Sequence, residues 1–241
     1  MAIITEIHGN IFDTESEVLV NSVNCVGIMG AGIALECSYR FPGIMESYKR
    51  ACDSKQLKPG KLLLYPNGED PTILCFPTKV HWKDKSQLGY LEDGLRKFSQ
   101  TYKDKGISSI AFPQLGCDRG GLEWASQVRP LMYDRLENLE DLRVEIYLFD
   151  PAGSDRLFDE FKSLAHGMSV DQIMGELNLK RKNAERLRET LDRGNVTNMF
   201  GLQKVKGIGK ETLTQVYAFA SGNGAQSPSS TPDGQLELEL V

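Results

Sequence analysis

Residues 18–36 read Val-Leu-Val-Asn-Ser-Val-Asn-Cys-Val-Gly-Ile-Met-Gly-Ala-Gly-Ile-Ala-Leu-Glu, a stretch that combines a strand, a glycine-rich loop and the start of a helix. The apolar run at its beginning is typical of a buried strand, and the pattern from Ile33 onward is helical. Backbone N–H groups in such a loop can approach phosphate oxygens closely, and the helix dipole favours their negative charge. The stretch therefore indicates a phosphate site; the alternative is a glycine-rich turn that serves backbone shape alone.

Two common phosphate-binding motifs do not fit this loop. It lacks the Gly-Lys-Ser/Thr of a P-loop, and its order Gly-x-x-Gly-x-Gly differs from the dinucleotide fingerprint Gly-x-Gly-x-x-Gly. A second apolar run, residues 110–112, is followed by Pro-Gln-Leu-Gly-Cys-Asp-Arg-Gly-Gly-Leu at residues 113–122. We call residues 24–31 loop 1 and residues 114–122 loop 2. Two such loops at two strand ends predict a site that holds a diphosphate from both sides.

The composition fits one domain of ordinary size plus a smaller one, with 241 residues of which 40% are hydrophobic and 25% charged. No stretch approaches the ~20 apolar residues of a membrane span, and the N-terminal sequence shows no secretory signal. The five cysteines lie in the first half and form no Cys-x-x-Cys. This usage predicts reduced thiols in a cytoplasmic protein without a zinc site or other cofactor. Three widely spaced histidines argue against a His-based metal site or a Ser-His-Asp triad.

Charge is distributed unevenly along the chain, whose net charge is −5. Residues 162–220 carry 10 Lys or Arg and 6 Asp or Glu, and residues 221–241 carry three acids and no base, which leaves −6 for residues 1–161. A basic segment joined to an acidic domain suggests a polyanionic partner for that segment. A solvated helix face would give the same count.

Alternating strand-like and helix-like segments in residues 1–165 predict an α/β domain, in which a helix at residues 154–164 packs back on the sheet. Strand signals stop in residues 169–220, where helical patterns predict a small all-α domain. Residues 221–241 are rich in Ser, Gly and Pro and end in alternating apolar and acidic residues. This composition predicts a disordered acidic tail with a weak strand propensity at its end.

Several motifs together resemble a macrodomain, the ADP-ribose-binding α/β module. They are Gly9-Asn10-Ile11, the asparagines and glycines of residues 21–32, and the glycines of loop 2. Residues 76–82, Phe-Pro-Thr-Lys-Val-His-Trp, and residues 116–124 resemble the branch of DarG-like DNA ADP-ribosyl glycohydrolases, which is related to terminal ADP-ribose protein glycohydrolase. The resemblance covers residues 1–160. It implies a three-layer α/β/α fold with a mixed sheet and a binding site for ADP-ribose.

The resemblance also implies roles for individual residues. Asn10 stands where macrodomains usually have an aspartate that accepts a hydrogen bond from the adenine amino group, and its amide offers a carbonyl without the charge. Asn24 is the better candidate for the distal ribose and Asn21 the second, although asparagine is also common in turns. The residues expected to bind ADP-ribose are Asn10, Ile11, Asn21, Asn24, Gly30, Ala31, Gly32, Ile33, Leu115, Gly116, Cys117, Gly120 and Gly121.

Lys79 is the expected catalytic residue. It follows an apolar strand, at the strand end where α/β sheets bind ligands, and the lysine of this Pro-Thr-Lys motif is catalytic in the DarG-like branch. With a pKa lowered by desolvation, its amine could form a Schiff base with the ring-opened sugar; if charged, it could stabilise the leaving group. Both roles stay open, and without the resemblance a solvated lysine would be favoured.

Two further positions bear on the substrate. The protein-directed relative has a loop 2 aspartate that completes hydrolysis; the comparable position here is Gly120, with Asp118 two residues earlier. This departure favours the DNA-directed branch. Trp124 is expected in the core, whereas Trp82 could be a core aromatic or a wall for a stacked base.

The C-terminal helical segment resembles a helix-hairpin-helix module around Gly207-Ile208-Gly209. In such a module the hairpin amides and the next helix meet a DNA phosphate, so the expected DNA-binding residues are Lys206, Gly207, Gly209 and Lys210. The alternative is a glycine turn that joins two structural helices.

Together these patterns predict an ADP-ribosyl glycohydrolase that removes mono-ADP-ribose from DNA. The expected partners are ADP-ribose, ADP-ribosylated DNA and a cognate DNA ADP-ribosyltransferase toxin, with no membrane. The alternatives are an ADP-ribose reader without turnover, a hydrolase acting on mono-ADP-ribosylated protein, and a vestigial macrodomain whose helical segment is the working part.

Overall fold

The computed structural model describes residues 1–68, 70–222 and 239–240, which form seven strands and nine α-helices. The strands are β1 (Ile3–Gly9), β2 (Val18–Val23), β3 (Leu63–Asn67), β4 (Asp70–Pro77), β5 (Ser109–Pro113), β6 (Arg143–Phe149) and β7 (Glu239–Leu240). The helices are α1 (Gly32–Arg40), α2 (Ile44–Asp53), α3 (Leu88–Thr101), α4 (Arg129–Leu136), α5 (Arg156–Leu164), α6 (Val170–Glu176), α7 (Arg181–Arg193), α8 (Met199–Gln203) and α9 (Lys210–Ala220). Among these described helices, none combines the length and apolar character needed to cross a lipid bilayer.

The chain divides into two compact units between Phe149 and Asp150. The first unit contains β1 to β6, α1 to α4 and the strand β7; the second begins at Asp150 and contains α5 to α9. The domain boundary expected after residue 165 therefore moves to residue 149. Helix α5, expected in the first domain, belongs to the second unit and packs on α9, where the rings of Phe161 and Phe219 meet edge to face with centroids 6.4 Å apart.

The first unit is built on one mixed sheet with the strand order β1-β6-β5-β2-β4-β3-β7. The strands β1, β6, β5, β2 and β4 are parallel to their neighbours in this order. Strand β3 pairs antiparallel with both β4 and β7. Parallel strands need helical crossovers that cover both faces of the sheet, which is why the central strands β2 and β5 are buried nearly throughout. The expected mixed sheet is confirmed.

Side chains of successive strand residues point to opposite faces and enter two separate cores. Val18 and Val20 of β2 belong to the core that α3 and α4 cover, and Leu19 and Val23 belong to the core under α1 and α2. The result is a three-layer α/β/α arrangement, as the sequence predicted. Trp124, expected in the core, is partly buried against the α3 and α4 side.

The carboxyl ends of the parallel strands meet at one edge of the sheet. Gly9 at the end of β1 is in register with Phe149 at the end of β6, and Val23 at the end of β2 is in register with Pro77 at the end of β4. Loops that follow these strands therefore lie together, in the position where open α/β sheets bind ligands.

The second unit begins with a segment that is tied to α8 by hydrogen bonds. The carboxylate of Asp155 caps α5 and also accepts a hydrogen bond from the backbone N–H of Met199 at 3.0 Å. The side-chain amide of Asn198 donates to the carbonyl oxygens of Pro151 and Gly153 at 3.0 and 2.9 Å. These buried contacts explain why residues 150–164 associate with the helices that follow.

The tail predicted for residues 221–241 is described only in part. Residues 223–238 and 241, part of the tail expected to be disordered, lie outside the described residues. Glu239 and Leu240 form β7 and pair with Leu64 and Leu63 of β3. Without β7, strand β3 would be the edge of the sheet, with unpaired backbone N–H and C=O groups that can pair with an extended segment. The weak strand propensity predicted for the end of the tail is therefore observed at these two residues.

Candidate functional site

Asn24 shapes loop 1 from within. Its side-chain oxygen accepts hydrogen bonds from the backbone N–H of Val26 at 3.0 Å and from the hydroxyl of Tyr48 at 3.0 Å. Its side-chain nitrogen donates to the carbonyl oxygen of Ile28 at 2.6 Å. Both ends of the amide, expected to bind the distal ribose, thus hold the loop closed, so a ribose hydroxyl would have to share these groups.

Asn21 lies beneath loop 1, on β2, and has no exposed surface. Its side-chain nitrogen is 4.0 Å from the sulfur of Met29, and its side-chain oxygen has no hydrogen-bond partner among the described residues. A buried unsatisfied acceptor costs about 1–3 kcal/mol. This oxygen, the second candidate for the ribose, reaches a ligand only if loop 1 moves.

Loop 1 leads into α1 and faces loop 2 at that point. Gly32, the first residue of α1, has φ +57, a left-handed conformation that favours glycine. A Cβ built on Gly32 would lie 4.0 Å from the carboxylate oxygen Oδ2 of Asp118 in loop 2. Ala31, the residue before α1, makes no side-chain cap, so no side chain of that residue competes with an anion for the first N–H groups of the helix.

Loop 2 is folded tightly on itself. The backbone N–H groups of Gly121 and Leu122 donate to the carbonyl oxygens of Cys117 and Gly116 at 2.9 and 3.1 Å. A Cβ on Gly120 would stand 2.2 Å from both the Gly116 oxygen and the Ser86 hydroxyl. This conformation therefore leaves no room for a side chain at the position where the protein-directed relative has its aspartate.

Not all of the expected loop residues face outward. Leu115 is fully buried in the core under α3 and α4, and Ile11 is buried in the other core. The Asn10 side-chain oxygen accepts a hydrogen bond from the Phe12 backbone N–H at 3.1 Å and so caps the short 3₁₀ turn Ile11–Asp13. Leu115 and Ile11 therefore support the site from within the two cores. The Asn10 oxygen could accept a hydrogen bond from adenine only through its second lone pair.

Phe149 is a residue that the sequence analysis missed. It ends β6 next to Gly9 in register, its side chain is 57% exposed, and its backbone N–H donates to the side-chain oxygen of Gln114 in loop 2 at 3.3 Å. An exposed aromatic ring is unusual at the end of an apolar strand. The only signal in the sequence was its place immediately before the Asp-Pro turn.

Lys79 connects the two loops. Its ammonium group donates to the carbonyl oxygen of Arg119 in loop 2 at 3.0 Å, while the next residue, Val80, accepts a hydrogen bond from the backbone N–H of Cys25 in loop 1 at 2.8 Å. The residue is only 9% exposed. Burial lowers the pKa of Lys79, and the carboxylates of Asp84 and Asp118 partly oppose this shift.

The segment after Lys79 carries further contacts. The backbone N–H of Ser86 donates to the carbonyl oxygen of Gly120 at 3.0 Å, and the buried Ser86 hydroxyl has no partner in the described part of the chain. Trp82, whose place the sequence left open, is 49% exposed. The first and last residues of the segment 79–86 are thus bonded to Arg119 and Gly120 of loop 2, and the segment presents an aromatic ring to solvent.

In the second unit, the expected DNA-binding residues form the turn between α8 and α9. Lys206, Gly207, Gly209 and Lys210 are exposed, whereas Ile208 between them is buried. Two more cations lie nearby: a Cβ on Gly207 would be 3.2 Å from the Arg186 guanidinium, and the Lys204 ammonium lies 3.7 Å from the Phe200 ring centroid. Arg186 could not be linked to this turn from the sequence, because α7 is brought to it only by folding; Lys204, two residues before Lys206, could have been found from its position.

A metal site and a separate cavity were the two other possibilities for a functional site. In the described part of the chain, no three His, Cys, Asp or Glu side chains come together as a metal-binding group. A cavity of about 420 Å³ lies near the start of β2, at the opposite end of that strand from loop 1. Its lining includes Glu17, whose pKa is lowered chiefly by the backbone N–H of Ser108.

Comparison with known proteins places this geometry in a family. The Macro domain model matches residues 20–130. A DNA ADP-ribosyl glycohydrolase of Thermus aquaticus is 36% identical over 148 residues, which are 60% of this chain and 40% of that protein. The macrodomain of Mycobacterium tuberculosis DarG superposes with a TM-score of 0.59 at 36% identity, covering 61% of this chain and 98% of that structure. Thermosipho africanus DarTG in complex with ADP-ribose superposes with a TM-score of 0.57 at 38% identity, covering 62% of this chain and 42% of that structure.

The chain spans less than half the length of the Thermus aquaticus relative. The family match falls within the first unit and includes loop 1, Lys79 and loop 2. Because the superposition covers nearly all of the Mycobacterium tuberculosis macrodomain at 36% identity, the chain belongs to the macrodomain family.

Proposed function

We propose that the protein is an ADP-ribosyl glycohydrolase that removes mono-ADP-ribose from DNA, with Lys79 as its catalytic residue. The observation that carries this proposal is the position of Lys79, a nearly buried residue whose ammonium group is bonded to loop 2 and whose backbone carbonyl oxygen lies 3.5 Å from the Cys25 sulfur of loop 1. The names of the Thermus aquaticus relative and of the ADP-ribose complex of Thermosipho africanus DarTG support the reaction and the ligand.

ADP-ribose would lie along the carboxyl ends of the parallel strands. The diphosphate would sit between Gly30–Ile33 and loop 2, where the N-terminus of α1 offers N–H groups and a favourable dipole. The adenine would lie by Asn10 and the exposed ring of Phe149, since β1 and β6 end side by side. The distal ribose would then reach Lys79, which is where the bond to the acceptor must be cleaved.

Hydrolysis gives the hydroxyl of water to the anomeric carbon and a proton to the acceptor. The lowered pKa of Lys79 supports a covalent route, because desolvation raises the fraction of neutral, nucleophilic amine. In that route the amine displaces the acceptor nitrogen from the ring-opened sugar, and water then cleaves the resulting imine and restores the lysine. In the electrostatic route, charged Lys79 stabilises the leaving group and no covalent adduct forms.

Reductive trapping distinguishes the two routes. Cyanoborohydride added during turnover would reduce an imine to a stable secondary amine, which mass spectrometry would locate on Lys79. Turnover without any trapped adduct would assign the electrostatic role. Lys61, an exposed lysine of the same unit, is the internal control for unspecific glycation.

Two observations support DNA as the acceptor. Gly120 and its close contacts exclude the loop 2 aspartate expected of the protein-directed relative. The turn between α8 and α9 presents Lys206 and Lys210, with Arg186 and Lys204 beside it, in a unit that would hold a strand by its phosphates without selecting sequence. The covalent tether between the units would raise the concentration of modified nucleotide at the macrodomain.

The acceptor is tested by comparing two substrates. Purified protein is incubated with an oligodeoxynucleotide and a protein that each carry one ADP-ribose, and released ADP-ribose is measured. The proposal predicts faster release from the oligonucleotide. Faster release from the protein would make the chain a protein-directed hydrolase, and binding without release from either would make it a reader. A DNA ADP-ribosyltransferase that creates the substrate is the partner that this reaction requires.

A further inference from the structure

An exposed aromatic ring lies three residues after Lys79. Trp82 is 49% exposed, and the His81 ring lies beside it with centroids 5.6 Å apart. The Lys83 ammonium stands 5.1 Å from the centroid of the Trp82 ring. We call residues His81, Trp82 and Lys83 the Trp82 platform. Exposing so much of an indole is costly, so this position needs a physical explanation.

The Trp82 platform is held in place rather than loosely attached. The backbone N–H of His81 donates to the Asp84 carboxylate at 3.2 Å, and the Asp84 N–H donates back to the His81 carbonyl oxygen at 3.0 Å. The flanking residues are bonded to both loops, Val80 to Cys25 and Ser86 to Gly120. A binding surface fixed in this way loses little conformational entropy when a ligand arrives.

The charges around the Trp82 platform fit an anion. Lys83 and Lys85 are exposed on the same turn, and the Arg119 side chain is exposed in loop 2 next to the carbonyl that Lys79 contacts. The carboxylates among these residues are Asp84, whose Oδ2 accepts from His81, and Asp118, 3.8 Å from Arg119. The cluster is thus net positive within residues 1–161, whose net charge is −6.

We propose that the Trp82 platform binds the single DNA strand next to the modified nucleotide, with a base stacked on Trp82 and the phosphates on Lys83 and Lys85. An aromatic ring with flanking cations is how proteins hold single strands without reading sequence. A base and a cation both bind the face of an indole, so the arriving base displaces Lys83 toward the neighbouring phosphate. The inference rests on the proposed function, because it states where the DNA acceptor lies relative to Lys79.

Fluorescence of Trp82 tests the proposal independently of turnover. The chain contains two tryptophans, so Trp124→Phe leaves Trp82 as the single indole emitter. A short unmodified oligothymidylate, added in the presence of ADP-ribose, should quench this emission through stacking, and the quenching should weaken as salt rises. Unchanged emission across the titration would overturn the proposal, as would equal quenching by a neutral peptide-nucleic-acid oligomer at every salt concentration.

Turnover of two substrates provides the second arm. Trp82→Ala should raise KM roughly 5- to 150-fold for an ADP-ribosylated oligonucleotide, the range of one lost base–aromatic stack, and Trp82→Phe should restore most of it. The effect should vanish for a single ADP-ribosylated nucleoside, which has no neighbouring base. Equal KM values for Trp82→Ala and wild type on the oligonucleotide would refute the platform.

The fluorescence titration and the turnover comparison together distinguish failure of this inference from failure of the proposed function. If neither substrate is hydrolysed by wild-type protein, the proposed function fails, and the fluorescence titration still decides the platform. Ile3→Ala is the matched control, because Ile3 is an exposed apolar residue at the amino end of β1, the end of that strand away from the loops. Its quenching and KM should equal those of wild type.

Discussion

Replacing Gly120 by alanine should damage the site through one methyl group. The new Cβ would lie 2.2 Å from the Gly116 carbonyl oxygen and 2.2 Å from the Ser86 hydroxyl, whereas ordinary contacts exceed about 3 Å. Residues around position 120 must therefore shift by about 1 Å. Forcing extra atoms into a packed region typically costs about 1–3 kcal/mol of the free energy of unfolding.

The shift should also reach the catalytic residue. The carbonyl oxygen of Arg119, adjacent to Gly120, accepts the hydrogen bond from Lys79 at 3.0 Å. Moving that oxygen by about 1 Å breaks the bond, and a misplacement of that size can lower a rate about 100-fold. We therefore expect Gly120→Ala to unfold some 2–12 °C earlier and to hydrolyse ADP-ribosylated oligonucleotide about 100-fold more slowly.

Thermal unfolding and single-turnover kinetics measure these two effects. Gly89→Ala is the matched control, since Gly89 lies in the first turn of α3 and its added Cβ would meet no described heavy atom within 4 Å. The control should keep the rate of wild type and should unfold no earlier, because alanine favours a helix more than glycine does. Wild-type stability and turnover in Gly120→Ala would show that loop 2 does not need its observed conformation, and would refute the reasoning.

Three further outcomes are expected. Gly32→Glu should abolish ADP-ribose binding in calorimetry, because it places a carboxylate at the start of α1, facing Asp118 and the expected diphosphate; unchanged affinity would contradict this placement. Asp118→Asn removes an interaction that raises the pKa of Lys79, so the acid limb of a kcat/KM profile should move to lower pH if the neutral amine reacts, and an unmoved profile would argue against that role. Lys206→Glu combined with Lys210→Glu should weaken binding to unmodified DNA, flatten its salt dependence and raise KM with little change in kcat; salt dependence equal to that of wild type would give the second unit another partner.

The order of the strands and of loops 1 and 2 could be predicted from the sequence because most strands contain an apolar run and both loops contain a cluster of glycines. The helix indicated from Ile33 onward is observed as Gly32–Arg40, and the apolar run at residues 110–112 lies in the strand Ser109–Pro113. Ser169 and Gln172 form a capping box at the start of α6, a pattern that two residue types at a fixed spacing indicate. These features depend on neighbours in sequence, which is why local patterns reveal them.

Features that depend on distant residues could not be predicted in this way. The bond from Tyr48 to Asn24 joins α2 to loop 1 and turns an expected ligand contact into a loop support. A helix at residues 154–164 could be predicted from its local pattern, but its packing against α9 in the second unit depends on residues far along the chain. The exposure of Trp82 and Phe149 also depends on which elements fail to cover them, and composition contains no such information.

The most direct test of the central claim is single-turnover release of ADP-ribose from a modified oligonucleotide by Lys79→Ala. The variant removes the amine that is bonded to loop 2 and leaves the glycines and the start of α1 unchanged. Calorimetry with ADP-ribose confirms that the site is intact, and Lys61→Ala, at an exposed lysine of the same unit, is the control. We expect Lys79→Ala to bind ADP-ribose within a few-fold of wild type and to release none from the oligonucleotide, while Lys61→Ala matches wild type in both. Release by Lys79→Ala at the wild-type rate would contradict the assignment of Lys79 and, with it, the proposed reaction.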